Sequence, residues 1–191
     1  MNGPMRTIAC LVIAVALSAQ PVLAQEEAAA GGFASGGFGA PVVKFSSMLG
    51  EFVTFVGVRG GWVANHSFVI GAGAYTLVNT IDRPDLIEPI TKFVYGGFEV
   101  EYIGLASEPV HFTILALVGA GRRYLTDEPD PDHDEVFVFE PAVNLQVNVT
   151  NFFRVDAGGG YRYVSKETTS DTENSDYRAF FGALTFRFGS F

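Results

Sequence analysis

An acidic run is the part of this sequence whose side chains best suit the binding of a metal ion. Carboxylate oxygens are the ligands that Ca²⁺ and Mg²⁺ prefer, and an Asp at every second position resembles the start of an EF-hand loop. Glu135 stands where that loop needs glycine, and Pro141 stands where it needs a bidentate glutamate. The run therefore predicts a solvated acidic external loop, with weak cation binding as the alternative. Its acidic residues are Asp127, Glu128, Asp130, Asp132, Asp134 and Glu135.

The three histidines are the other candidates for chemistry, because histidine is the commonest general acid or base. His66 and His111 lie near short predicted turns on one side, and His133 lies within the acidic run. A lipid-modifying hydrolase at a membrane surface needs a histidine beside a serine and a carboxylate. Only His133 is placed suitably, in an external loop with carboxylates nearby, and no serine suits the role. The sequence therefore predicts no enzymatic activity, no cofactor and no resident metal.

A second set of charged side chains lies singly within otherwise apolar segments. Their spacing places them on one face of strands, because side chains two residues apart share a face. Two roles fit this face: it lines a narrow ion path, or its charges pair across an interior and fill it. Both signs are present, which favours pairing. The set comprises Lys44, Arg59, Glu99, Glu101, Glu140, Arg154, Asp156, Arg162 and Arg187.

The segments that carry these charges have the length of barrel strands. In the sixth, Phe139, Val143 and Leu145 alternate with Glu140 and Gln146, a period of two and not of 3.6. The fourth, seventh and last segments alternate in the same way. The first, third and fifth are less regular, and Leu115 and Leu117 have no clear face. Turn residues delimit about eight segments, namely 42–48, 52–64, 67–78, 93–105, 111–124, 136–147, 152–164 and 177–188.

The charged face decides between a membrane barrel and a soluble one. A soluble barrel such as a lipocalin also alternates, with its apolar face inward. Here the charged face suits a hydrated lumen, and the opposite aromatic face suits a lipid-facing band with girdles. Beyond the N-terminal region no apolar run is long enough for a spanning helix, and membranes admit only helices and closed barrels. We therefore predict an all-β protein, an antiparallel transmembrane β-barrel of about eight strands.

The N-terminal region divides into two predicted segments before the barrel of residues 40–191. Residues 1–24 form a secretory signal peptide, with Arg6 before an apolar run and cleavage predicted before Gln25. Cys10 is the single cysteine and lies in that run, so the mature chain contains no thiol or disulfide. Residues 25–39 are rich in glycine and predict a flexible leader. Cleavage removes Arg6 and no acidic residue, so the formal charge moves from −9 to −10.

The connections between the segments alternate in length. Short ones lie near residues 65–66, 107–109 and 148–151, and long polar ones span 79–91, 125–135 and 165–176. Outer-membrane barrels have short periplasmic turns and long external loops. The pattern predicts that both chain ends are periplasmic. The first external connection, near Gly50, departs from the pattern because it is short.

The C-terminal stretch Gly182 to Phe191 resembles the terminal strand of outer-membrane barrels, which the barrel-insertion machinery recognises by its alternating aromatic residues and final Phe. It departs in that Phe191 is out of phase with Phe188, so Gly189 and Ser190 are expected to overrun the regular strand. The stretch from Arg59 to Tyr75 resembles a hairpin of small, uncharacterised outer-membrane barrels. The chain as a whole resembles OmpA/OmpX-like porin-family barrels. This resemblance implies location in the bacterial outer membrane and insertion by that machinery, and it carries over no catalytic residue.

Two functions remain open at this point. One is a non-enzymatic barrel with a structural or surface-interaction role, and the other is a small porin-like channel for ions or small solutes. The expected partners are outer-membrane lipid and lipopolysaccharide, whose phosphates can share cations with the acidic loop. The acidic charge disfavours nucleic acid as a partner. Nothing in the sequence indicates an oligomeric state.

Overall fold

The computed structural model describes residues 35–48, 50–79, 92–105, 108–124, 133–166 and 177–191. The chain divides into Met1–Phe33 and Ala34–Phe191, and the second unit contains every described strand. The predicted signal peptide and the leader up to residue 34 lie outside the described residues. Within these ranges, no helix has the length and apolar character needed to cross a membrane.

Eight antiparallel strands form a closed barrel in which each strand pairs with its sequence neighbours and the last pairs with the first. This confirms the predicted fold class and strand number. Closure leaves no strand edge unpaired, which is what a bilayer demands of a spanning sheet. The strands are β1 Ser35–Met48, β2 Glu51–Ala64, β3 Phe68–Leu77, β4 Lys92–Gly104, β5 Val110–Tyr124, β6 His133–Asn148, β7 Phe153–Lys166 and β8 Ala179–Ser190.

The first strand begins earlier than the sequence predicted. The glycine-rich composition predicts a flexible leader up to residue 39, but residues 35–39 pair with the end of β2 from Gly60 to Ala64. Ladder hydrogen bonds use only the backbone, so a glycine-rich segment can join a sheet when a partner strand is available. Glycine also allows a close approach here, since a Cβ at Gly60 would lie 2.9 Å from the Phe38 carbonyl oxygen.

The early start of β1 also corrects the expectation for the C-terminus. Gly189 and Ser190 do not overrun the sheet, because they pair with Phe38 and Gly37 of β1. Gly189 additionally donates its backbone N–H to the carbonyl of Phe152 at 3.0 Å. The chain leaves the sheet only at Phe191.

The barrel has two ends of different character, which we call the turn end and the loop end. The turn end holds both ends of the described chain and the short connections 65–67, 105–109 and 149–152. Asn65 and His66 adopt φ of 52° and 57° there, a left-handed conformation common in tight hairpins. The loop end holds connections 78–91, 125–132 and 167–178, and the short β1–β2 turn, where Gly50 has φ of 81°.

Burial follows the predicted alternation. Phe98, Val100 and Tyr102 of β4 are exposed on the outside, and Glu99 and Glu101 between them are buried. The same division holds on the sixth, seventh and last strands. β5 resolves the uncertain pair, since Leu117 is buried in the interior and Leu115 has the same parity. The apolar face therefore points outward, opposite to a soluble lipocalin-like barrel.

The outward apolar band has the height of a bilayer core. On β6 it runs through alternate residues from Phe137 to Val147, all apolar. At the rise of an antiparallel strand this is about 33 Å along the strand, or about 25 Å of depth at the roughly 40° tilt of small membrane barrels. An apolar band of about 25 Å is typical of outer-membrane barrels.

Two outward-facing prolines interrupt the ladders without shifting the register. The β1–β8 ladder stops at Gly39 and resumes at Val42, around Pro41. The β6–β7 ladder stops at Phe139 and resumes at Ala142, around Pro141. Proline has no N–H to donate, so each gap lacks one ladder bond.

Closure predicts resistance to detergent. We expect the membrane-extracted protein to migrate differently on an SDS gel when unboiled and boiled, because SDS has no free strand edge at which to begin unfolding. A variant ending at Arg178 lacks β8 and cannot close, so it should give one mobility under both treatments. A single mobility for the full chain, together with recovery in the soluble periplasmic fraction, would contradict a membrane barrel.

Candidate functional site

The inward faces bring most of the predicted lumenal charges together in the middle of the barrel. Four cations and four anions are buried there, with relative exposures of 5% or less. Burying a charge in a medium of low polarity is expensive unless the charge is paired. The four cations balance the four anions, so the set carries no net charge. Its members are Lys44, Arg59, Arg162 and Arg187, and Glu99, Glu101, Glu140 and Asp156.

The first group of contacts, the Glu140 cluster, contains Lys44, Tyr95, Glu140 and Arg162. Glu140 pairs with Lys44 across the barrel and accepts a hydrogen bond from Arg162 Nε at 2.7 Å. The Tyr95 hydroxyl donates to Glu140 Oε1 at 2.8 Å and accepts from Lys44 Nζ at 3.2 Å. One carboxylate therefore serves two cations and a phenol from β1, β4 and β7.

The second group, the Glu101 cluster, contains Arg59, Glu99, Glu101, Asp156 and Arg187. Arg59 donates from Nε to Glu99 at 2.6 Å and from Nη2 to Glu101 at 2.9 Å. Arg187 Nη2 donates to the other oxygen of Glu101 at 2.6 Å, and Arg187 Nε donates to Asp156 at 2.6 Å. Alternating cations and anions thus connect β2, β4, β7 and β8 through the interior.

Tyr75 joins the two clusters, and sequence reasoning did not identify it. Its hydroxyl donates to Glu99 at 2.7 Å, and Lys44 Nζ lies 3.4 Å from its ring centroid. Its ring also stacks on Tyr95 at 5.1 Å. The available signal was its position on β3, because Tyr75 follows the outward Ala74 and therefore points inward.

Neutral polar side chains extend the Glu101 cluster toward the turn end, and sequence reasoning gave them no role. Gln146 donates to Asp156 at 2.6 Å, and its Oε1 lies 2.5 Å from His111 Nε2. The other ring nitrogen of His111 lies 3.1 Å from the Glu108 carbonyl oxygen. Both nitrogens of this buried histidine are therefore engaged in structural contacts.

Arg154 differs from the other predicted lumenal charges because it is only partly buried. Its Nη1 donates to Gln146 at 3.3 Å, and its guanidinium lies 4.0 Å from the ring centroid of Phe191. Phe191 in turn stacks on Phe38 at 6.1 Å, inside the turn end. Phe191 is therefore out of phase with the outward Phe188 because its ring points into the turn end of the barrel.

Apolar clusters lie on both sides of the charged layer, and the one at the turn end stands beside the polar contacts of His111 and Gln146. At the turn end Phe191 packs against a small buried cluster of Phe38, Ala40, Val63, Val69 and Ile103. At the loop end a larger cluster contains edge-to-face contacts of Phe55 with Phe93 and Tyr95, at 6.0 and 5.7 Å. Its other members include Val53, Leu77, Val136, Val138 and Val164. The interior is thus packed in three layers, as expected for a barrel just wide enough for its side chains.

The charged layer contains a small cavity. A cavity of about 20 Å³ lies against Lys44, Tyr75, Glu99 and Glu140, which is roughly the room one water molecule needs. Among the described residues, Nη1 of Arg162 and of Arg187 is buried without a hydrogen-bond partner. Each guanidinium lies over an aromatic ring, Phe55 at 4.1 Å and Phe38 at 4.7 Å, which offsets part of the desolvation.

The acidic run predicted as a loop is only partly described. Asp127, Glu128, Asp130 and Asp132 lie outside the described residues. The predicted loop was too long at its end, because His133, Asp134 and Glu135 belong to β6 and pair with the end of β5. The exposed Glu135 forms an ion pair with Arg122 at 2.9 Å. The described part of the chain contains no group of three or more His, Cys, Asp or Glu side chains arranged to hold a metal ion.

No protein-family model matches the chain, and no curated protein matches it. Solved structures match its fold. Neisserial surface protein A superposes with a TM-score of 0.63 at 15% identity, covering 82% of this chain and 98% of that one. The N-terminal β-barrel domain of Pseudomonas aeruginosa OprF gives 0.58 at 8% identity, covering 83% and 99%.

The attachment invasion locus protein Ail of Yersinia pestis gives a TM-score of 0.51 at 12% identity, covering 81% of this chain and 97% of that one. These proteins are small outer-membrane barrels of eight strands. At such identities the likeness is one of fold.

The ion pairing predicts a large difference between interior and surface carboxylates. We expect Glu140→Gln to lower the free energy of unfolding by about 3–5 kcal/mol, because Lys44 and Arg162 lose a shared anion while buried. The matched control is Glu135→Gln, in which the partners are 70% and 56% exposed at the side chain, and its effect should stay below about 1 kcal/mol. Urea titration in the same lipid vesicles measures both. Equal effects would mean that the interior charges do not stabilise the barrel.

Proposed function

We propose that this chain is a non-enzymatic outer-membrane barrel with a structural or surface-interaction role, and that its lumen does not conduct. The observation that carries this proposal is the three-layered interior. A conducting lumen needs a continuous water path. The charges here instead form ion pairs with one another, between apolar layers. Equal numbers of buried cations and anions also leave no fixed charge that would select a passing ion.

The surface available for interaction is the loop end. The sequence of its three long connections is strongly acidic, and Arg83 and Arg178 are the two basic residues in them. Such a surface favours cations or basic partners. The acidic residues are Asp82, Asp85, Glu88, Asp127, Glu128, Asp130, Asp132, Glu167, Asp171, Glu173 and Asp176.

The character of this surface bears on the choice of partner. The Ail protein of Yersinia pestis has been solved in complex with sucrose octasulfate, a heparin analogue. Eleven acidic residues against two basic residues disfavour a polyanion at the loop end of this chain. We favour lipopolysaccharide instead, held through divalent cations that loop carboxylates and lipid phosphates share.

The route to the membrane follows from the termini. We propose export by a signal peptide cleaved before Gln25, and insertion by machinery that reads the last strand. Leu184, Phe186 and Phe188 share the outward face of β8, where an insertion factor can contact them. Phe191 contributes to the interior instead.

A planar-bilayer recording tests the closed lumen. We expect the refolded full chain to give no discrete current steps, because the described interior charges pair with one another between apolar clusters. Insertion is verified on the same vesicles by the heat-dependent mobility shift, so that silence reports a closed barrel. Regular, reproducible steps from inserted protein would support the channel instead.

Cation-bridged binding predicts a dependence on divalent ions. We expect association with lipopolysaccharide vesicles to fall when EDTA removes Mg²⁺, because carboxylates and phosphates then repel each other. Neutralising Asp127, Glu128, Asp130 and Asp132 to their amides should weaken association in Mg²⁺. Glu108→Gln at the turn end is the control and should leave it unchanged. Association that survives EDTA would exclude cation bridging. Co-sedimentation measures each case.

A further inference from the structure

An apolar groove of about 450 Å³ lies on the outer surface between β5 and β8. Its floor is formed around Pro141, Gly159 and Gly160, and the rings of Tyr161 and Phe180 stand beside it. These two rings meet edge to face with centroids 5.0 Å apart. The remaining lining residues are Ile114, Ala142, Val143 and Phe181.

The backbone itself keeps this groove open. A Cβ at Gly159 would lie 2.5 Å from the Phe181 carbonyl oxygen, and one at Gly160 would overlap the Pro141 carbonyl oxygen. Gly159 shares the outward face of β7 with Tyr161, so a larger residue there cannot fill the floor without moving the strands. The inward ring of Phe181 closes the floor from inside, 2.8 Å from where a Cβ on Gly160 would stand. The groove is thus a depression in the wall and not an opening into the lumen.

The depth of the groove selects the chemistry of its occupant. Pro141 and Val143 lie midway along the apolar band of β6, between Phe137 and Val147. In the membrane this level is the centre of the hydrocarbon core, where neither headgroups nor water are present. We propose that the groove binds an acyl chain of an outer-membrane lipid. The methylene groups pack on the bare glycine backbone and between the Val143, Tyr161 and Phe180 side chains.

A second copy of this chain fits the groove less well. The commonest homodimer contact places the same patch of both subunits face to face, which here would set one depression against another. Such a contact leaves a void, and voids forfeit packing energy. The inference depends on the membrane location, and it is independent of the closed lumen and the acidic loops.

Photolabelling tests the proposal. The chain is reconstituted in vesicles that contain a phospholipid with a diazirine at the middle of one acyl chain, irradiated, and mapped by peptide mass spectrometry. We expect labelling of residues 141–145, 159–161 and 180 to exceed several-fold that of residues 96–100 on β4. Uniform labelling around the barrel would overturn the proposal.

Two matched variants separate the groove from the general surface. Val143→Trp fills the groove, and Val100→Trp adds the same ring at a position of equal exposure, 57%, outside it. We expect Val143→Trp to reduce labelling of Tyr161 and Phe180 several-fold and Val100→Trp to leave it unchanged. Equal effects of both variants would overturn the proposal. So would a change of oligomeric state specific to Val143→Trp, which would identify a second copy as the occupant. The heat-dependent mobility shift confirms that each variant has folded.

Discussion

Hydrocarbon offers the backbone no hydrogen-bonding partner, and this constraint governs every level of the structure. Each strand must pair on both sides, so the sheet has to close, and closure of a sheet of eight strands gives an interior that side chains fill. The same closure fixes parity along each strand. One set of side chains meets lipid, and the other meets its counterparts across a narrow interior. The alternation of Phe98 and Val100 with Glu99 and Glu101 is the local consequence.

The interior shows how charges can be buried so densely. Glu101 accepts from Arg59 with one oxygen and from Arg187 with the other, and Glu140 divides its oxygens between Lys44 and Arg162 in the same way. The carboxylates therefore act as bridges between strands that do not touch through their backbones. Aromatic rings beneath the cations and apolar layers at both ends keep competing water away. Such an arrangement is rigid, because moving one member leaves two partners exposed to an apolar surrounding.

The sequence predicted much of this architecture for a physical reason. Lipid enforces strict alternation, so the strands, their number and the polar faces of β4, β6, β7 and β8 are legible in a single chain. The apolar layers could not be predicted, because near the loop end both faces of a strand are apolar. On β2, inward Val53 and Phe55 alternate with outward Phe52 and Val56. Leu115 and Leu117 could not be assigned for the same cause. The partners of each charge were also beyond reach, since Lys44 and Glu140 meet across the barrel and not along a strand.

The prediction of where β1 begins was wrong for a different reason. A glycine-rich composition indicates a large loss of entropy on ordering. It does not indicate whether a neighbouring strand is available to compensate for that loss by backbone pairing. Gly37 to Gly39 join the sheet because β2 and β8 both extend far enough to pair with them. Local sequence does not contain that information.

The two proline gaps make the backbone pairing of the barrel wall unequal from one strand pair to the next. β7 and β8 are joined to each other by an unbroken ladder, but the seams that flank them, β6–β7 and β8–β1, each lack one bond beside Pro141 and Pro41. At the first gap Glu140 and Arg162 face each other, so an ion pair stands where a backbone bond is missing. The final hairpin is thus held to its two neighbouring strands less completely than its own two strands are held to each other.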